Sequence, residues 1–204
     1  MDKKEKIIRA SVSLFSKKGY EGTSVESIAK KANVSKSSVF YHFGSKKNLY
    51  FKTLQWALYP FFATFSRELD AIDDPEEFVE KITGSYLEFI NKKRNLVFIM
   101  VRDLLDGGKH FEVFVKGILE ETGILKKTLK KFEEWKKQGR IKQLPPHQIM
   151  LNLFSMLYFP FIAEPALKYV FGLNPKQESF LKERKRALLE ILLHGIAGGQ
   201  NEKN

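Results

Sequence analysis

The sequence predicts an all-α protein, on three observations. Apolar residues recur at three- and four-residue spacing along nearly the whole chain, with no sustained period-2 alternation of the kind that marks strands. Glycine, proline and Asp-Asp-Pro breakers fall between these periodic stretches. An apolar share of 43% and an aromatic share of 13% are enough to fill a core without cross-links, and the chain has no cysteine. Disulfides, thiolate metal sites and a cysteine nucleophile are thereby excluded.

The first helix is expected over about 4–18, where Ile7, Ile8, Ser11, Leu14, Phe15 and Lys18 repeat at helical spacing and Gly19 supplies a stop. Thr23 or Ser24 offers the N-cap of a second, short helix carrying Val25, Ile28, Ala29 and Ala32 on one face. Thr23 stands three residues before Glu26, which fits a capping box. Asn33-Val34 make a tight turn, asparagine being tolerant of the left-handed backbone. Ser35 caps a third helix over about 36–43, on which 100° steps put Val39, Phe40 and Phe43 on one side and Ser37, Ser38, Tyr41 and His42 on the other. So short a helix is unstable alone, so the apolar trio must pack against its predecessors and the polar face must point outward. Gly44-Ser45 breaks it, and Ser45 caps a long fourth helix.

Beyond residue 50, helical patterns run over about 46–70, 75–91, 94–105, 110–138, 146–171 and 176–197. Asp73-Asp74-Pro75, Gly107-Gly108, Leu144-Pro145-Pro146 and Asn174-Pro175 separate them. The most apolar stretch, Met150 to Ala163, contains Asn152, Ser155 and Pro160 and falls short of the ~20 residues that a spanning helix needs. The charged start, MDKKEKIIRA, has no secretory h-region, so a cytoplasmic protein is expected.

The net charge is +11, unevenly spread: residues 1–50 hold eleven Lys/Arg against four acids, while the remaining 154 hold 24 against 20. A quarter of the chain thus carries most of the excess, as a domain facing a polyanion would. Three short helices with a four-residue turn between the second and third form the helix-turn-helix arrangement, whose third helix reads the major groove. Thr23 and Ser24 are placed to hold one strand's phosphates, by hydroxyl and helix N-terminus, although simple capping is their other reading. Lys36, Ser37 and Ser38 are the candidates for base edges, lysine donating to guanine acceptors and serine reading ambiguously. Catalysis fails on geometry. Ser38 and His42 lie one turn apart on an exposed face, and the only acids between residues 5 and 67 are Glu21 and Glu26, so no triad forms. The other histidines, His110, His147 and His194, are isolated in sequence; neither a metal nor a cofactor is expected.

The run GYEGTSVESIAKKANVSKSSVFYHFGSKKNLY, residues 19–50, resembles the signature of the TetR (tetracycline-repressor) family of transcriptional regulators. Gly19-Tyr20 matches the end of that family's first helix, Thr23-Ser24 with Ile28-Ala29 its second, Ala32 to Ser35 its turn, and Phe40-Tyr41-His42-Phe43 with Ser45-Lys46 and Leu49 the run that follows. The resemblance covers about residues 5–50. It implies that Tyr41, His42 and Lys46 lie against the sugar-phosphate backbone; a core role for Tyr41 and a merely solvated charge at Lys47 are the alternatives. Ser37 departs from the pattern, which commonly has glycine there, so this position is expected to shape operator preference. The resemblance divides the chain into a DNA-binding domain, 1–47, and an all-helical ligand-binding and dimerisation domain, 48–204.

Two aromatic-Pro-aromatic runs, Tyr59-Pro60-Phe61 and Phe159-Pro160-Phe161, sit within helical patterns. Kinks at these prolines are expected to splay helices around an apolar pocket. Its candidates on the fourth helix are Trp56, Tyr59, Phe62 and Phe65. Tyr86, Phe89 and Phe98 come from the middle of the chain, and Phe154, Tyr158 and Phe161 from a later helix. Ordinary core packing is the other reading of each residue. Near the C-terminus Leu181, Arg184, Leu188, Ile191, Leu192 and Gly195 form a stripe, flanked by Ala197 and Gly198, that suits a homodimer interface; packing within the chain is the alternative. The expectation is a homodimeric repressor on a palindromic operator, released when a hydrophobic small molecule shifts the fourth helix. Constitutive DNA binding without an effector, and a helical lipid carrier or enzyme, are the other classes.

Overall fold

The computed structural model describes residues 2–196. Among these there are eleven α-helices and no strand. In order they are α1 (Lys3–Lys18), α2 (Val25–Ala32), α3 (Lys36–Phe43), α4 (Lys46–Leu69), α5 (Pro75–Lys92), α6 (Arg94–Leu105), α7 (Lys109–Thr122), α8 (Ile124–Lys137), α9 (Pro146–Ile162), α10 (Glu164–Phe171) and α11 (Glu178–Ile196). The chain forms two compact units. The first runs to Phe62 and takes back Lys93–Glu121; the second holds Ala63–Lys92 and the chain from Thr122 onward. The first unit therefore reaches well past residue 47, because α6 packs along α1.

In that first unit, α1 buries Ile7, Ile8, Ala10, Ser11, Phe15 and Ser16 and packs on α2 and α6. Asp2 caps its start and Gly19 its end. The N-cap of α2 is Ser24, whose hydroxyl accepts from the Ser27 backbone N–H at 3.1 Å. The expected Thr23–Glu26 capping box does not form. Thr23 is buried and its hydroxyl donates to the Gly19 carbonyl at 2.8 Å, closing the α1–α2 turn from inside. Asn33 takes the left-handed conformation, φ 54°, that ends α2. Ser35 caps α3 through the Ser38 N–H, and Ser45 caps α4 through the Asn48 N–H, each at 3.1 Å. Val39 and Phe43 are both 2% exposed, but Phe40 is 42% exposed and does not join them. Val39 and Phe43, one turn apart, take the seat against the core, and Phe40 lies beside it at the edge of the crevice between α2 and α3.

A buried carboxylate, Asp103 on α6, fixes the base of this unit. It accepts from Phe111 N–H at 2.6 Å and from the Tyr50 hydroxyl at 3.4 Å, and lies 3.0 Å from His110 Nδ1. Burial, then the Asp103 charge, raises the Tyr50 phenol well above its ordinary range, so it stays a donor. Arg102 beside it donates to the Ser16 carbonyl at 3.1 Å, joining α6 to α1.

The second unit is built on α5, α9 and α11, which pack on one another, with α8 against α9. Asp74 caps α5 through the Glu76 and Glu77 N–H groups. Two expected long helices are each broken in two. The 110–138 pattern divides at Gly123, which adopts φ 62°, and 146–171 divides at Ala163, with Pro165 in the first turn of α10. The axes of α9 and α10 meet at 74°. Both α4 and α9 continue as helices through Pro60 and Pro160. The last helix starts at Glu178, because Asn174 to Gln177 form a turn. No single helix among the described residues is long and apolar enough to cross a membrane.

The stripe expected at a dimer interface is partly internal. Leu188 and Leu192, 0% and 2% exposed, belong to the core of the second unit, where α11 packs on α5 and α9. Arg184 is half-buried and donates to the Met156 carbonyl at 2.7 Å, while Ile191 remains exposed. Leu181 is partly exposed. Gly195 lies in α11, and Ala197 and Gly198 lie outside the described residues.

The difference between the two α3 phenylalanines is open to measurement. Phe43→Ala is expected to cost about 3–5 kcal/mol in urea unfolding, as for a fully buried ring, and Phe40→Ala under about 1 kcal/mol. Equal losses would mean that α3 is seated on a different face.

Candidate nucleic-acid interface

Three caps orient the presumptive reading surface: Ser24 starts α2, Ser35 starts α3 and Ser45 starts α4. With Val39 and Phe43 anchored inward, α3 presents Lys36, Ser37 and Tyr41 outward, with Ser38 and His42 partly covered at the flanks. Tyr41 is 86% exposed. Its ring meets the His42 imidazole edge to face, with ring centres 5.2 Å apart. The Ser37 hydroxyl lies 2.9 Å from that of Ser35, so the capping serine and the serine at the atypical position share one hydrogen bond.

Beside α3 lies an open crevice of about 470 Å³ lined by Lys18, Ser24, Ser27, Lys36, Phe40 and Lys46, with Glu21 and Glu26 at its walls. Three lysines and the N-terminal end of α2 line it together with the two glutamates, and a helix N-terminus with cations beside it favours an anionic oxygen. Lys46 is partly buried, its ammonium 4.2 Å above the Tyr20 ring and 4.0 Å from Glu21. Tyr20 stacks in turn on His110, ring centres 4.1 Å apart. Lys36 is ion-paired with Glu26 across the α2–α3 gap.

Of the residues expected to meet DNA, Ser24, Lys36 and Lys46 share this crevice, and Ser35, Ser37, Ser38, Tyr41 and His42 belong to α3 or its cap. Thr23 lines the crevice, but its hydroxyl is turned inward to Gly19. Lys18, Ser27, Glu26 and Phe40 were not anticipated there. For Ser27 a local signal existed, its position three residues after the cap. For Lys18 there was none, since the α1–α2 turn alone brings it near.

The ten aromatics expected to line a pocket are shared between the two units. Trp56, Tyr59, Phe62 and Phe98 are in the first, where Trp56 lies between the Arg9 guanidinium at 5.5 Å and the Lys93 ammonium at 5.2 Å. In the second, Phe65 meets Phe78 within a cluster that includes Phe132 and Trp135. Tyr86 meets Phe89, Phe154 and Tyr158, and Phe161 is 2% exposed. The Tyr86 and Tyr158 hydroxyls are hydrogen-bonded to each other. Burial raises the Tyr86 phenol well above its usual value and pushes Tyr158 up to about 12.

The family profile described as "Bacterial regulatory proteins, tetR family" matches residues 7–53, which span α1 to the first turns of α4. Over 186 residues the chain is 26% identical to the "Probable HTH-type transcriptional regulator YttP" of Bacillus subtilis, covering 88% of this chain and 86% of that protein. A closer but shorter match, 53% over 47 residues, is to the "Biofilm operon icaADBC HTH-type negative transcriptional regulator IcaR" of Staphylococcus aureus, covering 23% of this chain and 25% of that protein. Among solved structures, the transcriptional regulator FadR from Bacillus subtilis in complex with stearoyl-CoA has the same fold, with a TM-score of 0.73 at 18% identity, covering 94% of this chain and 98% of that one. The fatty acid degradation regulator FadR from Bacillus halodurans superposes equally well, TM-score 0.73 at 18% identity over 96% of each chain. Residues 7–53 thus match the helix-turn-helix domain of the tetR family of bacterial regulatory proteins, and the chain along its length has the fold of these solved regulators.

Proposed function

We propose that the protein is a homodimeric, sequence-specific transcriptional repressor whose grip on a palindromic operator is released by a hydrophobic small molecule. The observation that carries the DNA-binding part is the outward face of α3: exposed Ser37 and Tyr41 on a helix whose opposite face is fixed by Val39 and Phe43. Lys36, Ser37 and Ser38 read base edges in the major groove. Ser24, Tyr41, His42 and Lys46 hold phosphates on either side, with Ser35 as the cap that aims the helix. Thr23 contributes by closing the turn beneath Ser24. Such a regulator acts where the chromosome is, in the cytoplasm, and its work is binding rather than catalysis.

One recognition helix holds DNA weakly, and two related by a two-fold axis would meet major grooves about 34–36 Å apart. The side chains available for self-association are the exposed Phe159, Ile162, Val170, Phe171 and Ile191 of α9 to α11. α10 buries none of its own residues, which leaves an apolar surface for a second copy to cover. Repression is supported by the "negative" in the name of the IcaR relative, whose match is confined to the DNA-binding domain. The stearoyl-CoA complex of FadR supports an apolar effector through fold alone. In this chain the support is the density of aromatics at Trp56 to Phe65 and around Tyr86 and Tyr158. A constitutive binder is the second reading, favoured by the full burial of Phe65, Tyr86 and Phe161, which are 3%, 1% and 2% exposed.

Two outcomes are expected. In gel-shift titrations Tyr41→Ala lowers affinity for every duplex by about tenfold or more, the loss of one hydrogen bond to a charged group. Ser37→Ala instead changes which sequences are recovered from a random duplex pool. If both variants bind and select as the wild type does, α3 is not the reading helix. In thermal melts against fatty acyl compounds and aromatic drugs, at least one ligand raises stability, by about 2.7 kcal/mol at 100 times its Kd. A flat response across the panel returns the constitutive reading.

A further inference from the structure

Two acids, Glu21 and Glu26, line the candidate interface, and DNA binding by itself calls for neither. Glu26, on the second residue of α2, lines the same crevice as Ser24, Ser27, Lys18 and Lys46, where a phosphate would be held. Its carboxylate is ion-paired with the ammonium of Lys36, the first residue of α3. That hydrogen bond also holds the Glu26 carboxyl below its ordinary value. The stem of Lys36 leans toward Phe40, with the ammonium 6.0 Å from the ring centre, so the side chain is turned along the crevice. The lysine at the start of α3 is therefore paired in the free protein, with an acid that lines the crevice.

The two side chains are 53% and 60% exposed, so the pair itself is weak. Its consequence comes from what replaces it. When Lys36 leaves for a phosphate or a base, Glu26 is left as a bare negative charge beside a polyanion. On DNA of arbitrary sequence nothing offsets that repulsion. Where Lys36 finds guanine O6 or N7 and a cytosine amine lies within reach of Glu26, both charges gain partners from the same base pairs. Specificity is a difference of affinities, and a repulsive element that only the right sequence relieves widens the difference.

We propose that Glu26 is a specificity-determining residue, withholding Lys36 from non-cognate DNA and releasing it to a site that offers acceptors to Lys36 and a donor to itself. The proposal rests on α3 being the recognition helix and adds a residue of α2 that contributes by opposing attachment.

The test compares full-length wild type with Glu26→Gln on two probes: sheared genomic DNA of mixed sequence, and the duplex that the wild type enriches from a random pool. The glutamine variant is expected to bind mixed DNA about three- to tenfold tighter. Its plot of log affinity against log salt should steepen by about 0.9, one further phosphate neutralised. Its ratio of selected to mixed affinity should fall. In a Lys36→Ala background the same change should still tighten binding to mixed DNA, because Glu26 is then uncompensated on every sequence, but it should leave the ratio of selected to mixed affinity unchanged, because that ratio depends on Lys36. An unchanged ratio and salt slope in the protein that keeps Lys36, or an equal fall in the ratio without Lys36, overturns the proposal. If the wild type enriches no sequence, the regulator reading fails as well; if it enriches one and Glu26→Gln matches it on both probes, only the role of Glu26 fails. Because Glu26 is exposed, the variant's melting temperature should equal the wild type's, and Glu26→Ala should give the same direction.

Discussion

What α3 shows to the outside is set by the two side chains that it buries, Val39 and Phe43. An eight-residue helix has too few internal hydrogen bonds to persist in water, so it exists because these two positions, one turn apart, insert into the core beside α2. The helical repeat then leaves no freedom: Lys36, Ser37 and Tyr41 must point away. Capping does the rest. Ser35 and Gly44 fix where the helix starts and ends, and so which residue of the sequence stands at which height on the surface.

From this surface a line of contacts runs inward through the first unit. The Lys46 ammonium rests on the Tyr20 ring, Tyr20 on His110, and His110 against the buried Asp103 carboxylate. Tyr50 and the Phe111 N–H complete the set of groups around Asp103. A buried carboxylate tolerates no loss of partners, so α4, α6 and α7 are held together at this point. Any displacement of α6 or α7 must either break that cluster or carry Tyr20 and Lys46 with it.

The N-terminal third was legible because its signals are local. Gly19, Asn33, Ser35 and Ser45 each terminate or start a helix by their own backbone preference or hydroxyl, and the structure uses them so. Where two neighbours offered the same chemistry, as Thr23 and Ser24 do, only packing decided, and it turned Thr23 inward. Phe40 was misjudged because a helical wheel assigns it to the apolar side without knowing how narrow the seat is. Farther along, Gly123 and the Ala163–Pro165 break were hidden inside patterns whose periodicity continues across them. The Leu188 and Leu192 stripe was readable as apolar, but spacing cannot say whether α5 and α9 or another molecule will cover it. The Glu26–Lys36 pair joins α2 to α3 and the Lys46–Tyr20 pair joins α4 to the α1–α2 turn, and neither has a signature in one segment alone.

The central claim, that α3 enters the major groove from each half of a two-fold assembly, is tested most directly by methylation interference on the enriched duplex. Dimethyl sulfate marks guanine N7 in the major groove and adenine N3 in the minor groove. The account predicts two clusters of interfering guanine N7 positions centred about 10–10.5 base pairs apart, or a multiple of that spacing, with adenine N3 methylation tolerated between them. Interference confined to adenine N3, or no interfering position in the major groove, would contradict it.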